Sequence, residues 1–157
     1  MPVADLETAA AHGIRPSALP AEPGQSAPPE VSVVMPCLNE AETVGACVLR
    51  ALEVLQNQGL SGEVIVVDNG SDDGSSQIAS QAGARVVLQP IRGYGSAYSR
   101  GFETARGHFI LMADSDGTYD FAEIPRFLKP LRDGFDMVVG NRFKGQMMPG
   151  AMPWSHR

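Results

Sequence analysis

Five β-rich apolar runs recur between residues 31 and 140, and a segment with helix-forming character follows each of the first four. Val31-Ser32-Val33-Val34-Met35, closed by Pro36, predicts the first strand. Val64-Ile65-Val66-Val67 is an unbroken apolar run, as expected of a strand covered on both faces. Arg85–Leu88, His108–Met112 and Asp136–Gly140 supply the other three. Within 41–57, Val44, Val48, Leu52 and Leu55 recur close to helical spacing. Further helices are predicted over 73–82, about 96–106 and 121–132. Strands alternating with helices across short links predict an α/β fold: a mostly parallel sheet with helices on both faces.

Residues 1–30 have a different character. They are rich in Ala and Pro, with Pro16, Pro20, Pro23, Pro28 and Pro29, and they contain no aromatic residue. Such a segment buries too little apolar surface to offset the entropy of ordering its backbone, so it is expected to be a flexible tail. The globular part is expected to occupy residues 31–157.

Charge and hydropathy exclude several classes of function. A formal net charge of -6 argues against nucleic-acid binding, which needs a basic face to displace counterions. No apolar run approaches the roughly 20 residues that cross a bilayer. The N-terminus lacks the basic and apolar regions of a secretory signal. Cys37 and Cys47 show no metal-type spacing, and they are expected to be reduced in a cytoplasmic protein.

In an open parallel sheet, ligands bind beyond the carboxyl ends of the strands. The polar residues of this chain gather at those ends: Asn39 and Glu40, Asp68, Arg92, then Asp114 and Asp116. Asp114-Ser115-Asp116 directly follows a buried strand. Two carboxylates two residues apart can converge on one divalent cation, and hard oxygen donors favour Mg²⁺ or Mn²⁺. Such a metal would also neutralise a departing diphosphate. A solvated acidic turn is the alternative.

The other loops are each open to two readings. Asp68 can accept hydrogen bonds from the N–H groups of uracil or guanine, or it can close an Asx-turn beside Asn-Gly-Ser. Glu40 can bond ribose hydroxyls, whereas Asn39 is better placed to cap the following helix. Arg92-Gly93-Tyr94-Gly95-Ser96 brings glycines, which allow close backbone approach, to a helix N-terminus, which favours phosphate. It is also compatible with a plain turn. Arg142, in Gly140-Asn141-Arg142-Phe143-Lys144, can clamp a phosphate or sit in a solvated basic loop.

The blocks VSVVMPCLNEAETV, EVIVVDNGSDDGS, RGYGSAYSRGFETARG, HFILMADSDGTYDF and DMVVGNRFKG together resemble family 2 glycosyltransferases. In order and spacing they are similar to the polyprenol-phosphate (dolichol-phosphate) mannosyl- and glucosyltransferase group. The resemblance covers about residues 31–157 and implies a Rossmann-like GT-A fold that binds a UDP- or GDP-sugar. Pro36, Leu38 and Glu40 would line the nucleoside pocket, and Asp68 would bond the base. Asp114 and Asp116 would hold the metal and the diphosphate, and Arg142 would bind a phosphate. At the position of a third metal-directed side chain in some relatives stands Thr118.

The implied reaction is inverting displacement at the anomeric carbon, with a polyprenyl phosphate at the membrane surface as acceptor. That acceptor is already anionic and needs no strong general base. Relatives continue with acceptor-side helices, so the resemblance implies a donor-binding half without its C-terminal part. Two alternatives remain open at this point. One is a nucleotide- or metal-binding fragment without turnover. The other is a haloacid-dehalogenase-type phosphatase, whose DxDGT motif Asp114–Thr118 also matches.

Overall fold

The computed structural model describes residues 5–9 and 27–141. Arg142 lies outside them. The chain divides into two compact units, Leu19–Ile124 and Met1–Ala18 together with Pro125–Arg157.

The larger unit is built on a four-stranded parallel sheet. In chain order its elements are β2 (Val31–Cys37), α1 (Val44–Asn57), β3 (Gly62–Asp68), α2 (Ser75–Gln81), β4 (Arg85–Leu88), α3 (Tyr94–Thr104) and β5 (Phe109–Met112). A 3-10 turn at Phe121–Glu123 follows. β2 runs two residues further than its apolar run predicts, through Pro36 to Cys37, and pairs in register with β3 up to Cys37 opposite Asp68. The sheet order is β4-β3-β2-β5. The chain therefore steps outward from β2 to β3 and β4, then returns to the other side of β2 with β5.

The core follows from strand alternation, which sends successive side chains to opposite faces. On one face Val34, Ile65 and Val67 cluster with Ala97 and Tyr98 of α3. Gly101 lets that helix approach closely, because a Cβ there would collide with Val34 and lie 3.1 Å from Val67. Val33, Met35, Val64 and Val66 point to the other face and are fully or almost fully buried. α1 packs against β3 and α2. Helices thus cover both faces, as the sequence pattern predicts.

At the amino end of the sheet, Glu63 ties three segments together. It accepts hydrogen bonds from Ser32 Oγ (2.8 Å) and the Arg106 backbone N–H (2.9 Å), and forms an ion pair with Arg85 (2.9 Å).

The smaller unit contains all of α4 (Ile124–Arg132) but its first residue, and a two-stranded antiparallel sheet. In that sheet β1 (Asp5–Ala9) pairs with β6 (Met137–Asn141). The fifth sequence-predicted strand therefore pairs with β1 and takes no place in the parallel sheet. Composition assigns residues 5–9 to a tail. A strand at a sheet edge needs only backbone donors and acceptors, which composition does not report.

Among the described residues no helix is long and apolar enough to cross a membrane. Cys37 and Cys47 are both free and buried. Burial pushes both thiols above their ordinary pKa.

Candidate functional site

β5 ends in register with Val34, three residues before the end of β2. The chain then continues beside the remainder of β2 as Ala113–Asp116. Ala113 N–H donates to the Val34 carbonyl at 3.1 Å, and Ser115 Oγ donates to the Pro36 carbonyl at 2.8 Å. Ala113 and Ser115 are buried, whereas Asp114 is half-buried and Asp116 exposed. The buried Ser115 is thus the pin between two carboxylates that both border the cleft.

The segment borders a cleft of about 310 Å³ beyond the carboxyl ends of β2 and β5. Strand order reverses there, and that reversal is where open α/β sheets bind ligands. Pro36, Leu38 and Glu40 line one side, Asp114 and Asp116 another, and Asn69, Gly93 and Tyr94 border the rest. Leu38 is 43% exposed, an apolar side chain held open at the cleft.

Each carboxylate is held by one oxygen. Asp114 Oδ1 accepts from the Tyr94 hydroxyl at 2.8 Å and lies 3.3 Å from the Tyr98 hydroxyl. Burial, with the nearby Asp114 charge, pushes both phenols above their ordinary pKa, so they stay protonated donors at neutral pH. Asp116 Oδ1 accepts from the Thr118 N–H (2.9 Å) and hydroxyl (2.7 Å). Among the described residues no group of three or more His, Cys, Asp or Glu side chains is placed to hold a metal ion. Two carboxylates fit a hard cation that takes its remaining ligands from water and substrate phosphates, the usual arrangement for Mg²⁺.

Residues 32–157 match the Glycosyl transferase family 2 domain, so the match spans the sheet, the cleft and the Asp114–Asp116 triplet. The chain belongs to glycosyl transferase family 2. Its fold is GT-A, and the phosphatase alternative falls away. This family 2 chain is 43% identical over 129 residues to a low-salt glycan biosynthesis hexosyltransferase of Haloferax volcanii, Agl6. That alignment covers 82% of the chain and 31% of Agl6. It is 38% identical over 126 residues to the glycosyltransferase AglJ of the same organism, covering 80% of the chain and 40% of AglJ. The chain thus spans well under half the length of these relatives.

Among solved structures, mannosyl-3-phosphoglycerate synthase from Rubrobacter xylanophilus superposes with a TM-score of 0.60 at 28% identity, covering 66% of this chain and 36% of that one. Glucosyl-3-phosphoglycerate synthase from Mycobacterium tuberculosis, in complex with Mn²⁺, UDP-glucose and phosphoglyceric acid, gives 0.58 at 29% identity. It covers 73% of this chain and 46% of its own.

Of the sequence-predicted residues, the family 2 cleft brings together Pro36, Leu38, Glu40, Asp114 and Asp116. Asp68 and Arg92 are not among its lining residues. The Asp68 carboxylate is buried and closes the turn after β3, accepting from the Ser71 N–H (2.9 Å) and the Ser76 hydroxyl (2.6 Å). Burial raises its pKa, but these hydrogen bonds outweigh burial and hold the carboxyl below its ordinary range. Arg92 is exposed, with Nη2 3.5 Å from the Gly70 carbonyl.

Asn39 does not cap α1, contrary to the sequence expectation. Thr43 occupies the N-cap position without a side-chain bond. Asn39 sits at φ +58°, and its Oδ1 accepts from the Asp72 N–H at 3.0 Å. An Asn tolerates this left-handed conformation better than most residues. The Asn39, Glu40 and Ala41 N–H groups donate to Ser71 Oγ (3.0 Å), Ser75 Oγ (2.9 Å) and Asp73 Oδ2 (2.9 Å). The loop after β2, which presents Leu38 and Glu40, is therefore clasped by the loop after β3.

Sequence reasoning missed Asn69. Its side-chain amide donates to the Gln89 and Ile91 carbonyls, both at 2.8 Å, and accepts from the Gly93 N–H at 2.7 Å. It thereby fixes the glycine turn that starts α3. Tyr94 and Tyr98 were also missed, although their spacing of four residues on a helix places both on one face.

Proposed function

We propose that this cleft binds the nucleoside diphosphate of a UDP- or GDP-sugar, with Mg²⁺ or Mn²⁺ held by Asp114 and Asp116, for inverting transfer of the sugar. The observation that carries the reading is the position of the carboxylate pair. It stands at the reversal of strand order, facing the same cleft as Pro36, Leu38 and Glu40. Support comes from family membership and from the solved relative in complex with Mn²⁺ and UDP-glucose.

A cation held by Asp114 and Asp116 would, when bound, supply charge neutralisation for the leaving diphosphate. The residues of the chain do the positioning. Pro36 and Leu38 offer apolar surface to the nucleoside, and Glu40 accepts from ribose hydroxyls. The Asp68 carboxylate, held at the end of β3 by the Ser71 N–H and the Ser76 hydroxyl, is assigned to a base N–H from its place in the sequence block. Arg92 stands on the loop that enters α3, on the phosphate side, and Arg142 is assigned to a phosphate from its sequence block alone. The acceptor proposed is a polyprenyl phosphate presented at a membrane surface, whose oxygen attacks without a general base.

Calorimetric titration with UDP and GDP, with and without Mn²⁺, tests the reading. The wild-type chain is expected to bind one of them more tightly with metal, and Asp116→Ala to lose that gain. Undiminished metal dependence in Asp116→Ala would remove the carboxylate pair from the site.

A further inference from the structure

We propose that Tyr94 is a positioning residue for the metal site: its hydroxyl holds Asp114 Oδ1 and so sets the orientation in which the carboxylate meets a divalent cation. This rests on the reading of Asp114 and Asp116 given above.

The first observation is the hydrogen bond itself, 2.8 Å from an exposed tyrosine to Asp114 Oδ1. The end of an Asp side chain rotates in a broad, roughly two-fold well, so a carboxylate at a cleft edge needs an external donor to hold one orientation. The two carboxylates thus share one arrangement, each with a hydroxyl donating to its Oδ1. For Asp116 the hydroxyl comes from Thr118 in the same loop. For Asp114 it comes from a different element, α3.

The second observation is that Tyr94 is itself fixed from two sides. Its ring meets the buried Tyr98 edge-on, with centroids 4.9 Å apart and planes at 80°, and Tyr98 in turn packs on Phe102. Its backbone follows Gly93, whose N–H is held by Asn69 at the end of β3. A connected path therefore runs from the loop after β3, through Gly93 and Tyr94, to the first carboxylate of the triplet. Partners of this kind, which orient a ligand without touching the metal, commonly change metal affinity by about 10–100-fold when removed.

Tyr94→Phe separates this role from a structural one, because it keeps the ring and its packing and removes only the hydroxyl. The buried Tyr98 hydroxyl, 3.5 Å from that of Tyr94, keeps the Ala113 carbonyl and Asp114 Oδ1 as partners in the variant. The measurements are the Mn²⁺ concentration that half-saturates the gain in UDP or GDP affinity, the affinity without metal, and the melting temperature. The expected result is a half-saturating Mn²⁺ concentration about tenfold higher in Tyr94→Phe, with metal-free affinity and melting temperature unchanged. A wild-type-like Mn²⁺ response in Tyr94→Phe, where Asp116→Ala abolishes it, overturns the role of Tyr94 alone. Equal loss of affinity with and without metal also overturns it, by making Tyr94 a nucleotide contact. A wild-type chain with no metal-dependent binding overturns this role and the carboxylate assignment together.

Discussion

The Ser115 hydroxyl donates to the Pro36 carbonyl at 2.8 Å, joining the carboxylate triplet to the strand that opens the sheet. These residues are 79 positions apart, and their bond closes the crevice where strand order reverses. Ser115→Ala removes the bond without adding bulk. The expected cost is about 1 kcal/mol in urea unfolding. Metal-dependent nucleotide affinity is expected to fall as well, because the segment bearing Asp114 and Asp116 loses its pin. A variant destabilised but unchanged in metal-dependent affinity would show that the triplet is positioned without Ser115.

Asn69→Ala should be more damaging. It deletes a buried amide and leaves two carbonyls and one N–H of the 89–93 loop without their partner. The cost is expected at about 1–3 kcal/mol, since three hydrogen bonds are lost but the exposed groups of the loop can turn to water. Limited proteolysis should then cut within residues 89–93 faster than in the wild type. Equal cleavage rates would argue that the glycine turn holds itself.

Asp68→Ala separates base recognition from turn closure. If the carboxylate bonds the base, the variant weakens UDP or GDP by about 1.5–3 kcal/mol while inorganic diphosphate affinity stays nearly unchanged. Equal weakening of both ligands would leave Asp68 the turn residue that its bonds to Ser71 and Ser76 already make it.

The same carboxylate predicts a pH dependence, shared with Glu63. Burial pushes both carboxyls up, but hydrogen bonds outweigh it and hold both below their ordinary range: from Ser71 and Ser76 to Asp68, and from the Arg106 N–H, Ser32 and Arg85 to Glu63. A folded-state pKa below the unfolded one adds stability that is present above the unfolded value and is lost as pH falls through the folded one. Stability is therefore expected to be full above about pH 5 and to drop below about pH 4. In Glu63→Gln the deficit against wild type should be widest at neutral pH and should narrow in acid. A deficit that stays constant with pH would mean that the Glu63 charge contributes nothing.

Gly101→Ala tests the seat of α3. The added methyl meets Val34 and Val67, both rigid core side chains. Overpacking of this kind should cost about 1–3 kcal/mol despite the better helix propensity of Ala. A stabilised variant would show that the helix can lift from the sheet freely.

Much of this molecule is legible in its local pattern. The apolar runs, the helical spacing between them and the polar residue at each strand end come from backbone periods that neighbours along the chain express by themselves. On that ground alone the sequence determines the parallel α/β class and gathers Asn39, Glu40, Asp68, Arg92 and the Asp114–Asp116 pair at the carboxyl ends of the strands, whereas Pro36 and Leu38 came from the family resemblance. Tertiary structure alone decided which strands are neighbours. It set β5 beside β2, creating the cleft, and paired β6 with β1. It also turned Asn39 from a helix cap into a left-handed link to the loop after β3, buried Asn69 under the turn that starts α3, and brought Tyr94 to Asp114 across 20 residues. Each of these depends on a partner distant in the chain, and no local period carries that partner's identity. Only packing the two faces of the sheet brings the groups within hydrogen-bonding distance.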